Sequence, residues 1–380
     1  MYLFARLFGI STYLLALLIC YEGIIHIQAR NSKKIVFIYL LAISIMAYFF
    51  VPPDSFDVSR LFIYMHEYAK LSFEQMITLI TTNNSTPGTV VYEHIIGQFG
   101  RDGLLPGITT FIVFGNCFAI ILKTEKNYRV NKTYTALALL WLMACGVYGE
   151  TIDGIRTMLA FSIVAILVYT EFFEDRSFIL HIPLYIVAAS IHSASLVLVA
   201  LRILFLLLQK TDTFFKKIRN IVLLIVVLFV SSVIFQTQIQ GAITKASNYL
   251  SRDYYSYGWN ILTGVLNIVI IVNICRKLRY YCRYNSIAEK KREAIINLTN
   301  FVYVILVISI VSLPFDYSIF HRFEYFATMI FTPVPMLYFS LENLYEIDRN
   351  RTYNNIFILL VLMLIIVCTR GEVCSLKYWE

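Results

Sequence analysis

Long apolar runs alternate along the chain with short clusters of charge and with breaks at Pro, Gly and Asn. A helix needs roughly 20 apolar residues to cross about 30 Å of hydrocarbon. Runs approaching that length fall near residues 3–21, 35–51, 104–122, 134–149, 156–173, 178–190, 194–208, 221–239, 260–275, 297–313, 323–340 and 355–369. The pattern predicts an all-α polytopic membrane protein with about 12 transmembrane helices. Residues 1–380 then form a single integral membrane domain. No internal repeat or low-complexity segment stands out. The first run is too long for a signal-peptide core and no small-x-small cleavage site follows it, so it reads as a spanning helix.

Lysine and arginine orient the spans. Basic clusters occur at 29–34, 123–132, 209–219 and 276–292. With twelve crossings all four lie on one side, the cytoplasmic one, and both termini lie outside. The parity depends on 178–208, read as two short helices meeting at "SIHSAS". Each has about 14 residues, or about 21 Å of helix. The His192 junction is therefore expected below the outer surface, shielded by protein. Residues 52–103 form a large external loop. Within it, 71–82 is amphipathic, and "TPGTVVYEHIIGQFG" reads as a short or re-entrant helix after a Pro-Gly turn. The loop suits a lid over a lipid-linked substrate or a purely structural cap.

Composition agrees with a membrane class. The chain is 59% hydrophobic and 15% charged, against about 25% charge in soluble domains. The net charge of +8 follows from basic cytoplasmic loops and implies no nucleic acid partner. Seven cysteines are present without a C-x-x-C pair, as expected of buried small hydrophobes.

Candidate chemistry gathers on the predicted outer side. Three inward-running helices are expected to begin there, with Arg156, His192 and Arg322 near their first turns and Ser193 as an N-cap. A helix N-terminus carries about half a positive charge and unpaired N–H groups, and arginine adds a fork suited to phosphate oxygens. Converging, three such ends suit a diphosphate. Asp57, Glu150, Asp153, Asp316 and Glu324 are candidate counter-charges or bases, and His192 is a further candidate base. Each has a plainer alternative. Arg156 fits an ion pair with Asp153 or Glu150, Arg322 an interfacial snorkeller, His192 a packing histidine, and Asp57 with Arg60 a solvated surface. His66 and His94 fit loop roles, while His26 and His181 fall at the cytoplasmic rim. His66, Glu67, Glu93 and His94 lack H-E-x-x-H spacing, so no metal site is expected.

These stretches resemble the EpsG family, related to Wzy-type polysaccharide polymerases. "DVSRLFIYMHEY" is similar to the family's early Asp followed by spaced tyrosines, here Asp57 and Tyr64. "IDGIRTMLAFSIVAI" resembles its Arg before an apolar helix, "IHSASLVLVALRIL" its His-x-Ser helix opening, and "HRFEYFATMIFTPVP" its late Arg before an aromatic helix. The resemblance runs from about 57 to 335; one departure is Arg60 following, rather than preceding, the early aspartate. It implies polymerisation of polyprenyl-diphosphate-linked repeat units at the outer face of the bacterial cytoplasmic membrane, in exopolysaccharide, capsule or O-antigen synthesis. It also implies an architecture similar to lipid-sugar-dependent, GT-C-like glycosyltransferases. Arg156, Arg322, His192 and Asp153 are the expected catalytic residues, and Asp57, Arg60, Tyr64, Glu150, His321 and Glu324 the expected substrate contacts. No cofactor is expected, the polyprenyl diphosphate being the substrate carrier. Lipid-linked oligosaccharide and membrane lipid are the expected partners, with a chain-length regulator as a candidate. A lipid-linked glycan flippase or transporter, an O-antigen-type ligase and a scaffold are the alternatives.

Overall fold

Helix is the only extended secondary structure among the described residues. That is the solution open to a chain whose backbone polar groups must be satisfied internally within hydrocarbon. The computed structural model describes residues 2–26, 31–52, 56–83, 86–209, 218, 258–284, 287–314, 316–341 and 346–369. The expected crossing at 221–239 lies outside them.

The helices run α1 (Tyr2–His26), α2 (Ser32–Tyr48), α3 (Asp57–Ala69), α4 (Phe73–Asn83), α5 (Pro87–Gly97), α6 (Leu104–Tyr128), α7 (Lys132–Ala144), α8 (Val147–Asp153) and α9 (Ile155–Phe173). They continue as α10 (Phe178–Ile191), α11 (Ala194–Gln209), α12 (Gly258–Tyr284), α13 (Glu289–Ser312), α14 (Tyr317–Phe331), α15 (Pro333–Phe339) and α16 (Glu346–Thr369). Among the described residues six helices are long and apolar enough to cross a membrane: α1, α6, α9, α12, α13 and α16. The bent pair α7–α8 makes a seventh if counted as one span. The chain is thus a multi-pass α-helical membrane protein.

The remaining expected crossings take other forms. Residues 35–51 fall in α2, at 17 residues, and 178–208 form α10 and α11, which meet around His192. The run expected at 323–340 starts earlier, at Tyr317, because Asp316 caps that helix; the run then breaks at Thr332, ahead of Pro333. Proline removes the backbone donor that would continue the ladder. The run expected at 134–149 extends to Asp153 but bends by 46° between α7 and α8. Gly146 makes the bend, with φ of 78°, a left-handed conformation that only glycine adopts without strain.

Burial sorts the bundle into inside and outside. Every residue of α7 from Thr135 to Ala144, most of α9, and all of α15 are buried. Trp141 packs edge-on to Phe331 and Phe161 edge-on to Phe326, with ring centroids 5.0 and 5.5 Å apart. Large apolar side chains such as Ile19, Ile179, Val311 and Ile358 point outward and are exposed, as lipid-facing surfaces require. The two ends of the bundle differ. One carries ion pairs close to the expected basic clusters: Lys123–Glu174, Lys132–Glu125 and Lys290–Asp175. The opposite end carries α3, α4 and α5, which fill residues 52–103.

Helix α5 is docked onto the end of α10 by close backbone approach. Thr89 Oγ1 donates to the Ile191 carbonyl at 2.6 Å. A Cβ on Gly88 would collide with Ser190 Oγ and come within 3.0 Å of the Ser190 carbonyl carbon. Gly88→Ala should therefore destabilise the detergent-purified protein by about 1–3 kcal/mol, read as a lowered melting temperature. Adding Ser190→Ala removes one collision and should recover only part of the loss. An unchanged melting temperature in Gly88→Ala would contradict this packing.

Candidate functional site

The glycine bend at Gly146 sends α8 out of line with α7, so that Glu150 and Asp153 arrive at the end of the bundle opposite the basic rim. Gly154 turns the chain into α9, and its N–H donates to the Glu150 carbonyl at 2.6 Å. The Glu150 carboxylate lies over Gly154, where a Cβ would strike it. Arg156 follows in the first turn of α9, whose N-terminus has no side-chain cap.

Arg322 is carried by α14. Its helix begins at Tyr317, so Arg322 sits in the second turn rather than the first. The Asp316 carboxylate accepts from the Ser318 N–H at 2.7 Å and caps the helix, so this candidate base is engaged at the start of its own helix. In α11 the first amide is also occupied: Ala194 N–H donates to His192 Nδ1 at 3.1 Å, so His192 and not Ser193 caps it. Of the three helix ends expected to converge, only that of α9 lacks a side-chain acceptor.

The two arginines share an unusual state. Neither Arg156 nor Arg322 makes a hydrogen bond or ion pair among the described residues. The ion pair of Arg156 with Asp153 or Glu150, the plainer expectation, does not form. Instead Arg156 lies within range of the charge of Glu93, and Arg322 within range of Glu150. Glu150 in turn feels Asp153 and Glu324. Two half-buried guanidiniums thus stand beside two carboxylates at one end of the bundle without closing onto them.

The other candidates are engaged. Asp153 Oδ1 accepts the N–H of Asp57 at 2.7 Å and of Val58 at 3.4 Å, tying the start of α3 to α8. Asp57 pairs with Arg60 on the surface of α3, and Tyr64 stands exposed with its ring stacked on Tyr68. Glu324 is buried in the core, where Asn267 Nδ2 donates to it and Asn267 Oδ1 accepts from Trp141 Nε1 at 2.9 Å. His321 is buried among Tyr317, Phe320 and Tyr325, with Nδ1 3.6 Å from Glu324. Glu324 and His321 therefore sit deeper than the two arginines, in a network joining α7, α12 and α14. His66 pairs with Asp102 at 2.6 Å, and His94 Nδ1 contacts the Tyr68 carbonyl at 2.7 Å. Both stitch the 52–103 segment together.

One residue of the site escapes the sequence pattern. Glu93, on α5, is 1% exposed, and its Oε1 is sealed from solvent with no partner. Burial pushes its carboxyl up to about 7, against the opposing pull of Arg156. An acid within the apolar run "VVYEHIIG" was the available signal.

A family model for the EpsG family matches residues 63–375. The chain belongs to the EpsG family. The match takes in Glu93, Glu150, Arg156, His192 and Arg322 and starts beyond Asp57 and Arg60. Membership makes the protein a polysaccharide-polymerase-type membrane protein, glycosyltransferase-like in activity. No curated protein and no solved structure matches the chain.

In this EpsG-family protein Asp153 holds the first turn of α3 through two backbone amides. Asp153→Ala should speed amide hydrogen exchange at Asp57 and Val58 by at least about tenfold, the loss of about 1.4 kcal/mol of local protection. Asp153→Asn keeps the Oδ1 acceptor and should leave much of that protection. Equal exchange in wild type and Asp153→Ala would show that the carboxylate does not anchor α3.

Proposed function

We propose that this EpsG-family protein joins polyprenyl-diphosphate-linked oligosaccharide repeat units at the outer face of the bacterial cytoplasmic membrane. The product is a polymer of the exopolysaccharide, capsule or O-antigen kind. The proposed topology has twelve crossings, both termini outside, and an architecture akin to lipid-sugar-dependent glycosyltransferases. Residues 52–103 form its external cap.

The observation that carries this reading is the pair of arginines, Arg156 and Arg322, that have no hydrogen bond or ion pair among the described residues and stand at one end of the bundle. An arginine at membrane depth is costly unless hydrated or paired, by about 3 kcal/mol on insertion scales. Two of them left open beside each other's neighbouring acids suit a ligand that brings its own negative charge. A diphosphate fits: its oxygens match the guanidinium fork, and the uncapped N-terminus of α9 adds backbone donors.

The chemistry follows from that placement. The acceptor sugar hydroxyl of one lipid-linked repeat attacks the anomeric carbon of a second lipid-linked glycan. The bond from that carbon to the diphosphate oxygen breaks, and its electron pair leaves with the polyprenyl diphosphate. Negative charge grows on the leaving group as the sugar becomes oxocarbenium-like. Arg156 and Arg322 stabilise that charge from fixed positions. No cofactor is assigned; the polyprenyl diphosphate is the carrier of the substrate. A ligase would use the same diphosphate chemistry with a different acceptor. A flippase is less favoured, because the open charges gather at one end instead of lining a path through the bundle.

Arg156→Ala and Arg322→Ala should each lower polymer formation by about 100- to 1,000-fold, measured with purified protein and lipid-linked repeats, while the variants still insert and fold. Arg156→Lys keeps the charge but loses the fork and should fall between wild type and Ala. Polymer of normal yield and length from both Ala variants would rule out this role. Wild-type protein that moves the lipid-linked glycan across vesicles without forming new glycosidic bonds would favour the flippase.

A further inference from the structure

Glycosyl transfer to a hydroxyl releases a proton, and the two arginines cannot accept it. The base must be a group that is free of strong partners, sits beside the diphosphate site, and can hold a proton near neutral pH. Most acids at this end of the bundle fail the first condition. Asp153 is bound to two backbone amides, Asp57 to Arg60, Glu324 to Asn267, and Asp316 to the first turn of α14. His192 has its Nδ1 on the Ala194 amide. Glu67 and Glu74 are exposed on the surface of α3 and α4. Of the acids that are not exposed, two remain without a side-chain hydrogen bond or ion pair among the described residues: Glu93 and Glu150.

The two differ in setting. Glu150 is crowded by Asp153 and Glu324 as well as by Arg322, and it stands on α8, directly before the chain turns into the arginine-bearing helix. Glu93 stands on a different element, α5, and among the described residues Arg156 is the charged group whose field it feels. Thr89 lies one turn before it on the same face of α5, and the Thr89 bond to the Ile191 carbonyl fixes that face against the α10–α11 junction. Its Oε1 is sealed from solvent and carries no hydrogen bond among the described residues, so its lone pairs are unclaimed.

We infer that Glu93 is the general base of glycosyl transfer, taking the proton of the acceptor sugar hydroxyl while Arg156 beside it holds the donor diphosphate. This assignment rests on the polymerase reading. The acceptor O–H proton passes to the Glu93 carboxylate, the acceptor oxygen forms the new bond to the anomeric carbon, and the leaving diphosphate takes the electron pair of the broken bond. The proton then leaves Glu93 for water, which restores the carboxylate. Arg156 links the two halves of the step: it favours ionised Glu93 before substrate binds, and it turns to the diphosphate when the substrate arrives.

Burial places the Glu93 carboxyl near neutrality, at about 7. The base form exists above that value, so kcat/KM should rise with pH, roughly tenfold per unit below about 7, and level off above it. Glu93→Gln keeps the shape and removes the basic oxygen. It should reduce polymer formation by about 100-fold or more and abolish the acidic limb of the pH profile. Binding of polyprenyl diphosphate itself should persist, since Arg156 and Arg322 remain. Glu93→Asp should retain part of the activity and the limb.

The assay is polymer formation by purified full-length protein with lipid-linked repeats between pH 5.5 and 8.5, run on wild type, Glu93→Gln, Glu93→Asp and Glu150→Gln. Active wild type with a fully active Glu93→Gln would overturn the base assignment and leave the polymerase reading standing. So would loss of the limb in Glu150→Gln with its retention in Glu93→Gln. An acidic limb retained in Glu93→Gln with weaker substrate binding alone would make Glu93 a positioning residue for Arg156, against the assignment. If Glu93→Gln does not fold, a flat wild-type profile between pH 6 and 8 overturns the assignment by itself. Wild type that forms no polymer from lipid-linked repeats removes the polymerase reading, and the base with it.

Discussion

The compensation of arginine in an apolar bundle governs this structure. The chain contains its own comparison. Arg202, on α11, is 3% exposed and paired inside the protein, although its Nη1 has no hydrogen bond among the described residues. Its Nε donates to Glu171 at 2.6 Å, its guanidinium lies 4.5 Å over the Phe172 ring, and Tyr185 donates to the same carboxylate at 2.8 Å. That is how a bundle stabilises a structural arginine. Arg156 and Arg322 are as deep in the sequence pattern but lack any such partner among the described residues. The contrast separates an arginine that holds the fold from two that, in the proposed function, receive an anion.

The surrounding helices maintain that open state. Gly146 bends the α7–α8 span so that Glu150 and Asp153 reach the end of the bundle. Asp153 is then engaged by the amides of α3 and makes no ion pair with Arg156. Asp316 is fixed by its own helix. Glu324 is drawn inward by Asn267 and Trp141. Each acid near the arginines thus has a stronger local claim on it, except Glu93 and Glu150. The site is defined as much by where the acids are held as by where the arginines stand.

Much of the fold was legible because burial in lipid leaves a strong one-dimensional signal. The long apolar runs became α1, α6, α9, α12, α13 and α16, and the junction at His192 appeared where two short runs meet. The expectation that Arg156 and Arg322 share one end of the bundle followed from counting basic clusters. Local capping chemistry was less legible. Asp316 starts α14 a turn and a half before the apolar run suggested, and His192 displaces Ser193 as the cap of α11. Both depend on a side chain choosing among nearby amides, which hydropathy does not record. Glu93 was hidden for another reason: its neighbour His94 suggested a metal pair, yet a helix turns successive residues to different faces. His94 reaches Tyr68 while Glu93 faces the arginine.

In the proposed function Arg156 and Arg322 bind one diphosphate between them. The most direct measurement is an experimental structure of the protein in lipid nanodiscs with bound polyprenyl diphosphate. Phosphate oxygens are expected within about 3 Å of both guanidiniums, at the end of the bundle opposite the Lys123–Glu174 and Lys132–Glu125 pairs. A diphosphate bound at the basic end, or one that touches neither arginine, would contradict it.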